Sequence, residues 1–281
     1  GHNEVNRMEE WSVQVPVWTI AIITAFVPLT ATKVGVFAVL QHILGYTFYI
    51  NKSVMKEIKP NPTTWMIFMY STTITAGLEA YLIATALNMP FSLVSPGAFF
   101  ESFKTLLNTA GYILYLPIIC ALGSIIVAAI CFVRGEVRWP EHTEDRRAFR
   151  NDVLLMCAAL IAAGLHIFGA ITDTQKYVAI AFFLIFSNWS TFYAFQPILR
   201  DAYENPDREH SLAWMVWTSA YLTLGIATVW GWIEEGSKDP VMLGLLLLYP
   251  LSCTYLHAKV AWYARSTRHG GIPLNTEPAS P

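Results

Sequence analysis

Long apolar runs follow one another along this chain, separated by short polar or Pro/Gly-marked breaks. They fall at about 34–50, 63–87, 106–133, 153–171, 177–199, 212–233 and 241–263. Each is too long for a strand and too evenly apolar for a half-exposed helix, so the pattern predicts seven membrane-spanning helices. An earlier run, Trp11–Thr30, is broken by Pro16 and Pro28 and joined to the next by Ala31-Thr32-Lys33 alone. It is expected to lie in or partly enter the outer interface, anchored by Trp11 and Trp18, with an eighth span as the alternative. Residues 88–105, punctuated by Pro90, Pro96 and Gly97, read as a structured outer loop or a short surface helix.

Composition agrees. Residues are 54% hydrophobic and only 14% charged, against about 25% charged in soluble domains. The net charge of −2 offers no basic surface, which excludes nucleic acid as a partner. Cys120, Cys131, Cys157 and Cys253 all lie inside apolar runs, where neither a disulfide framework nor a zinc site is expected. No metal-ligand spacing and no nucleophile–base motif stands out, so neither a cofactor nor an enzyme activity is expected.

Basic residues set the orientation. Lys52, Lys56, Lys59, the arginines of 134–150, Arg200, Arg208, Arg265 and Arg268 share one side, against Arg7, Lys33, Lys104, Lys176 and Lys238 on the other. The positive-inside rule makes the first side cytoplasmic, with the N-terminus outside and the C-terminus inside.

Two stretches resemble each other. Phe48-Tyr49-Ile50 corresponds to Phe195-Gln196-Pro197-Ile198, Asn61-Pro62 to Asn205-Pro206, and Trp65-Met66-Ile67-Phe68 to Trp214-Met215-Val216-Trp217. Each sits on a charged turn between two apolar runs. The expected architecture is therefore all-α and integral to the membrane, with two parallel three-helix repeats joined by a linker helix (3+1+3). Its parts are an N-terminal segment 1–33, repeat 1 at 34–133, a cytoplasmic loop and linker span at 134–171, repeat 2 at 172–263 and a disordered cytoplasmic tail at 264–281.

At these residues the chain resembles the PQ-loop/SWEET superfamily of transporters. It is most similar to an uncharacterised bacterial PQ-loop-like group, through Lys59-Pro60-Asn61 with Thr64-Trp65, and Pro197 with Pro206-Asp207-Arg208-Glu209. The namesake order Pro-Gln is reversed here as Gln196-Pro197, and Tyr49 stands where the first proline would be. Sugar-transporting members carry pocket asparagines in the third helix of each half. Here the third span has Asn108 near its outer end and the seventh has none. The resemblance thus implies a carrier fold in a bacterial inner membrane without implying sugar as its cargo.

Ionisable groups at bilayer depth are costly, and each is a candidate for function. Glu79 lies near the middle of the second span and His42 midway along the first. An unpaired Glu79 would suit a proton-coupled carrier; hydrogen-bonded to its neighbours, it would lock helices instead. Asn188-Trp189 pairs a polar group with a flat apolar wall, and Tyr115 and Tyr249 flank Pro117 and Pro250 in the third helix of each half. Pro117, Pro197 and Pro250, with Gln196, are candidate hinges. Trp65 and Trp214 begin the second helix of each half and read as interface anchors, or as gate residues. His257 and Lys259 fall near the inner end of the seventh span. The mixed-charge turns read as solvated loops, or as salt bridges closing an inner gate.

These readings converge on a carrier that moves a small polar solute by alternating access, surrounded by membrane lipid. The rival is a non-transporting scaffold or accessory subunit. A homo-oligomer or a membrane partner protein is the further association expected.

Overall fold

The computed structural model describes residues 30–86, 101–102, 104–107, 111–137, 140, 142–167, 173–236 and 238–266. The expected interfacial helix at 11–30 and the tail beyond 266 lie outside these residues, as does nearly all of the outer loop. The described chain is helical, with no strand. Seven long helices follow in order: α1 (Ala31–Val54), α2 (Pro62–Ala86), α3 (Tyr112–Val133), α4 (Thr143–Ile167), α5 (Asp173–Glu204), α6 (Ser211–Glu234) and α7 (Pro240–Ser266). A single 3₁₀ turn, Pro206–Arg208, joins α5 to α6.

Judged on the described residues, six of these, all but α2, are long and apolar enough to cross a membrane. Large apolar side chains, including Leu40, Ile43, Leu122, Ile126, Leu154, Ile161, Leu222 and Leu251, point outward. So continuous an apolar exterior is intolerable in water and ordinary in lipid. The chain is an integral membrane protein. α2 falls short because Thr63, Thr64, Ser71, Thr72, Thr73, Thr75 and Glu79 interrupt its apolar residues; several of these turn inward.

Local chemistry explains the ends. Thr30 caps α1, accepting from Lys33 N at 3.4 Å, and the Glu234 carboxylate at the far end of α6 also accepts from Ala31 N at 3.2 Å. Asn61 Oδ1 accepts from Thr64 N at 3.1 Å, so Asn61 caps α2 with Pro62 opening the helix. The matching Asn205-Pro206 does something else. It opens the 3₁₀ turn, and His210 Nδ1 caps α6 by accepting from Ala213 N at 3.3 Å. In the second turn residues 207–210 therefore lie between the Asn-Pro pair and the helix, Glu209 among them. Asp239 caps α7, accepting from Val241 N at 3.0 Å and Met242 N at 3.1 Å.

Three expected boundaries move. α3 begins at Tyr112 rather than Leu106, because Gly111, at φ +57°, breaks the helix. α4 begins at Thr143, inside the segment read as a loop; Glu144 and Asp145 in its first turn suit the positive end of the helix. α5 runs through Pro197 to Glu204 rather than ending near Leu199.

α3 packs against both α1 and α2, and α7 against both α5 and α6. α1 lies on α6, α2 on α5, and α4 packs mainly on α5. The largest core cluster gathers where the two turns meet, with Tyr49, Trp65, Phe195, Trp214, Trp217 and Val260. Two glycines permit close approaches. A Cβ on Gly45 would fall 2.5 Å from Trp217 Nε1, and one on Gly123 would fall 2.4 Å from the Tyr46 ring.

Candidate functional site

The helices enclose two adjoining compartments. The first, about 50 Å³, is lined by aromatic and histidine side chains: His42, Tyr46, Trp65, Trp217, Tyr221 and His257 among others. The second, about 80 Å³, is bounded by Thr75, Glu79, Pro117, Phe183, Ser187 and Asn188. Ser71, Thr72, Cys120, Thr191 and Tyr249 belong to both walls, so the two are neighbours. Glu79 lies about 20 Å along α2 from Trp65 by helix rise.

Intramembrane polar groups sort into satisfied and unsatisfied. Asp152 of α4 is fully buried and accepts from Tyr70 of α2 and Ser190 of α5, tying three helices together. That is a structural knot, and the sequence did not single it out. Gln41 of α1 donates to Ser219 of α6 at 3.1 Å. By contrast, no described residue hydrogen-bonds or ion-pairs with Glu79, which faces the second compartment. Asn188 Oδ1, Ser187 Oγ and His42 Nε2 are buried without a protein partner. A buried polar atom left unmatched costs about 1–3 kcal/mol; His42 lines the first compartment, and Ser187 and Asn188 line the second.

The histidines are held alike. His42 Nδ1 lies 3.0 Å from Ala38 O, and His257 Nδ1 lies 2.7 Å from Cys253 O. A carbonyl can only accept, so the hydrogen sits on Nδ1 and the neutral ring keeps Nε2 as an acceptor. Tyr221 lies between them, with ring centroids 4.5 Å from His42 and 4.8 Å from His257.

One end of the cavity is shut. Trp65 Nε1 donates to the Tyr49 hydroxyl at 3.1 Å, which donates to Glu209 Oε2 at 3.0 Å. Trp214 Nε1 donates to the same oxygen at 2.8 Å. Lys59 N donates to Arg208 O at 3.0 Å, joining the two turns through their backbones. Glu209 is 1% exposed. Burial is the main influence on its carboxyl, pushing it up to about 8 from an ordinary 4.5; nearby Asp201 adds to this, and the Trp214 and Tyr49 hydrogen bonds oppose it. Beside this seal, Arg200 holds Asp145 with two bonds of 2.7 and 2.8 Å, bracing α5 on α4.

The sequence-derived candidates divide accordingly. Glu79, His42, Asn188, Tyr249 and Pro117 line the compartments. Trp189 does not: it is 57% exposed and faces outward, since the next helical residue turns by about 100°. Tyr115 packs beside Val39 and Leu116 rather than in either lining. Trp65 and Trp214, expected as interface anchors or as gate residues, are 1% and 0% exposed, stand 6.4 Å apart in the core and line the first compartment. Gln196 is exposed, Pro197 is buried inside an unbroken helix, and Pro250 lies in α7 beside Gly225. Glu209 contradicts the reading of its turn as a solvated loop. Its own signal is faint: a carboxylate just before a helix that opens with Trp214. Tyr46, Tyr221 and His257 were also not singled out for the cavity; tyrosines and a histidine within apolar runs were their signal.

Among the described residues, no group of His, Cys, Asp or Glu is placed to hold a metal ion. Among the described residues, fold and site define an all-helical integral membrane protein with two small adjoining compartments lined by aromatic and polar side chains. No family model, no curated protein and no solved structure matches the chain.

Proposed function

We propose that this protein is a membrane carrier of the SWEET/PQ-loop kind, moving a small polar solute by alternating access across a bacterial inner membrane. The observation that carries this reading is the pair of compartments, with Glu79, Asn188 and His42 in their walls, and with Asn188 Oδ1 and His42 Nε2 buried without a partner among the described residues. The packing is consistent with two three-helix halves. In each, the third helix contacts the first two, and the crossed pairs α1–α6 and α2–α5 are what a two-fold relation between halves would produce. In this reading α4 is the linker, and the turns at 55–61 and 205–210 lie on the cytoplasmic side, with the N-terminus outside and the C-terminus inside. The Tyr49–Glu209–Trp214 seal is the closed inner gate, and rocking of the halves parts it. Glu79 is the group through which a proton can be coupled to the cycle.

The test is counterflow of radiolabelled sugars, amino acids, organic acids and amines in vesicles holding the purified protein. Saturable exchange of one class, slowed at least tenfold in Glu79→Gln, supports the carrier. Absence of exchange for every class, alongside a stable partner protein retained after gentle extraction, favours a scaffold. Exchange by Glu79→Gln that matches the unaltered protein from pH 5 to 8 removes proton coupling and leaves the carrier.

A further inference from the structure

The cavity lining has a one-sided chemistry. Among the described residues, neither compartment is walled by a lysine or arginine, and the one carboxylate in their linings is Glu79. The groups left unmatched there are acceptors or hydroxyls: Asn188 Oδ1, Ser187 Oγ and His42 Nε2. His257, held by the Cys253 carbonyl in the same way, also keeps an acceptor nitrogen. The rest of the first compartment is aromatic, with Trp65, Phe68, Phe195, Trp217, Tyr221 and Tyr249 in its wall.

Four of the described cations group together outside these compartments. Lys59, Arg134, Arg200 and Arg208 line a separate cleft outside the seal, among Glu136, Asp145 and Asp201. A solute carboxylate or phosphate entering the cavity would lose its hydration and meet no cationic partner, a cost of several kcal/mol. An ammonium would meet a carboxylate, acceptor atoms and the negative faces of aromatic rings.

We infer that the solute is a small organic cation, a protonated or quaternary amine bearing no carboxylate or phosphate. Glu79 is its counter-ion, Asn188 and His42 accept from whatever N–H or O–H groups it carries, and the aromatic wall receives its alkyl groups. The two compartments together hold roughly ten waters' worth of space, which limits the solute to about ten heavy atoms. This deepens the carrier reading and rests on it for the movement, though not for the binding.

The experiment is thermal unfolding of the detergent-purified full chain with ethanolamine, choline or tetramethylammonium, against 3,3-dimethylbutanol (the uncharged isostere of choline) and acetate. The expected result is a saturable rise in Tm of roughly 2–5 °C with at least one amine and none with the isostere or acetate. Glu79→Gln abolishes the rise and Glu79→Asp keeps part of it. Asn188→Ala, which retains the charge, weakens binding about tenfold. An equal response to the isostere, a response to acetate, a response surviving in Glu79→Gln, or no response to any amine at ~50 mM each overturns the inference. Amine binding without counterflow supports the site and sinks the carrier. Counterflow of a neutral or acidic solute without amine binding does the reverse.

Discussion

The hydroxyl of Tyr49, near the end of α1, donates to both carboxyl oxygens of Glu209, at 3.2 and 3.0 Å, across 160 residues of sequence. The same hydroxyl accepts from Trp65 at 3.1 Å. Replacing Tyr49 with Phe leaves the Trp65 N–H buried without its acceptor and takes one donor from Glu209. A loss of about 1–3 kcal/mol is expected, read as a lowered midpoint in thermal or denaturant unfolding. A midpoint unchanged within error would mean that these bonds do not hold this end shut.

Glu209 also sets a pH dependence. Burial lifts its carboxyl from 4.5 to about 8 in the folded protein. Between those values the folded state binds the proton and the unfolded state does not, so stability falls as pH rises. The contribution is fully present below about 4.5 and is lost as pH passes through about 8. Glu209→Gln, which keeps an acceptor for Tyr49 and Trp214, should flatten that decline. Melting curves from pH 5 to 9 on both proteins check it; parallel curves would count against a buried neutral Glu209.

The Arg200–Asp145 fork braces the seal from outside. Asp145 is only 5% exposed, so Arg200→Ala strands a largely buried carboxylate. The expected cost is about 1–3 kcal/mol, toward the lower part of what breaking a buried pair entails because the Arg200 side chain retains 20% exposure. Arg200→Lys loses the two-bond geometry and recovers only part of it. Equal melting points for the Lys variant and the unaltered protein would show that charge alone suffices.

Gly45 and Gly123 should tolerate no side chain. A Cβ at either position meets a rigid ring at 2.5 or 2.4 Å, and neither ring can swing aside as a flexible chain would. Gly45→Ala and Gly123→Ala are each expected to cost about 1–3 kcal/mol and to lower the yield of folded protein. Gly77→Ala is the control, since a Cβ there meets nothing within 4 Å.

Trp189 and Asn188 make an adjacent pair with opposite expectations. Trp189→Leu changes an outward-facing residue and should shift stability by no more than ~0.5 kcal/mol, with ligand response intact. Asn188→Ala acts on the cavity itself. Thermal shifts with and without the amines separate the two.

Much of the helical frame was legible because the bilayer imposes a length on each apolar run. The runs at 34–50, 212–233 and 241–263 fall within α1, α6 and α7. Direction around a helix was harder to read. In α5 the inward residues Asn188, Thr191 and Phe195 follow helical spacing, and Trp189, Phe192 and Gln196 follow the same spacing one step on. Both series contain polar and aromatic groups, so residue type alone does not say which meets the cavity. Glu209 was hidden for another reason. It sits among Arg200, Asp201, Glu204, Asp207 and Arg208, and only the folding of a distant turn against it removes it from water. The Asn-Pro likeness also masked a difference in placement: Asn61-Pro62 opens its helix directly, whereas four residues, Glu209 among them, separate Asn205-Pro206 from α6.

The seal has a consequence for the order of biosynthesis. Its Tyr49 and Trp65 donors leave the ribosome well before Glu209 exists, and at bacterial and eukaryotic elongation rates the gap is roughly 10–30 s. During that interval the Tyr49 hydroxyl can accept from Trp65 within the nascent first helices but has no carboxylate to donate to. Completion of this end is thus a late event in assembly, and a chain terminated before residue 209 should be a substrate for membrane quality control.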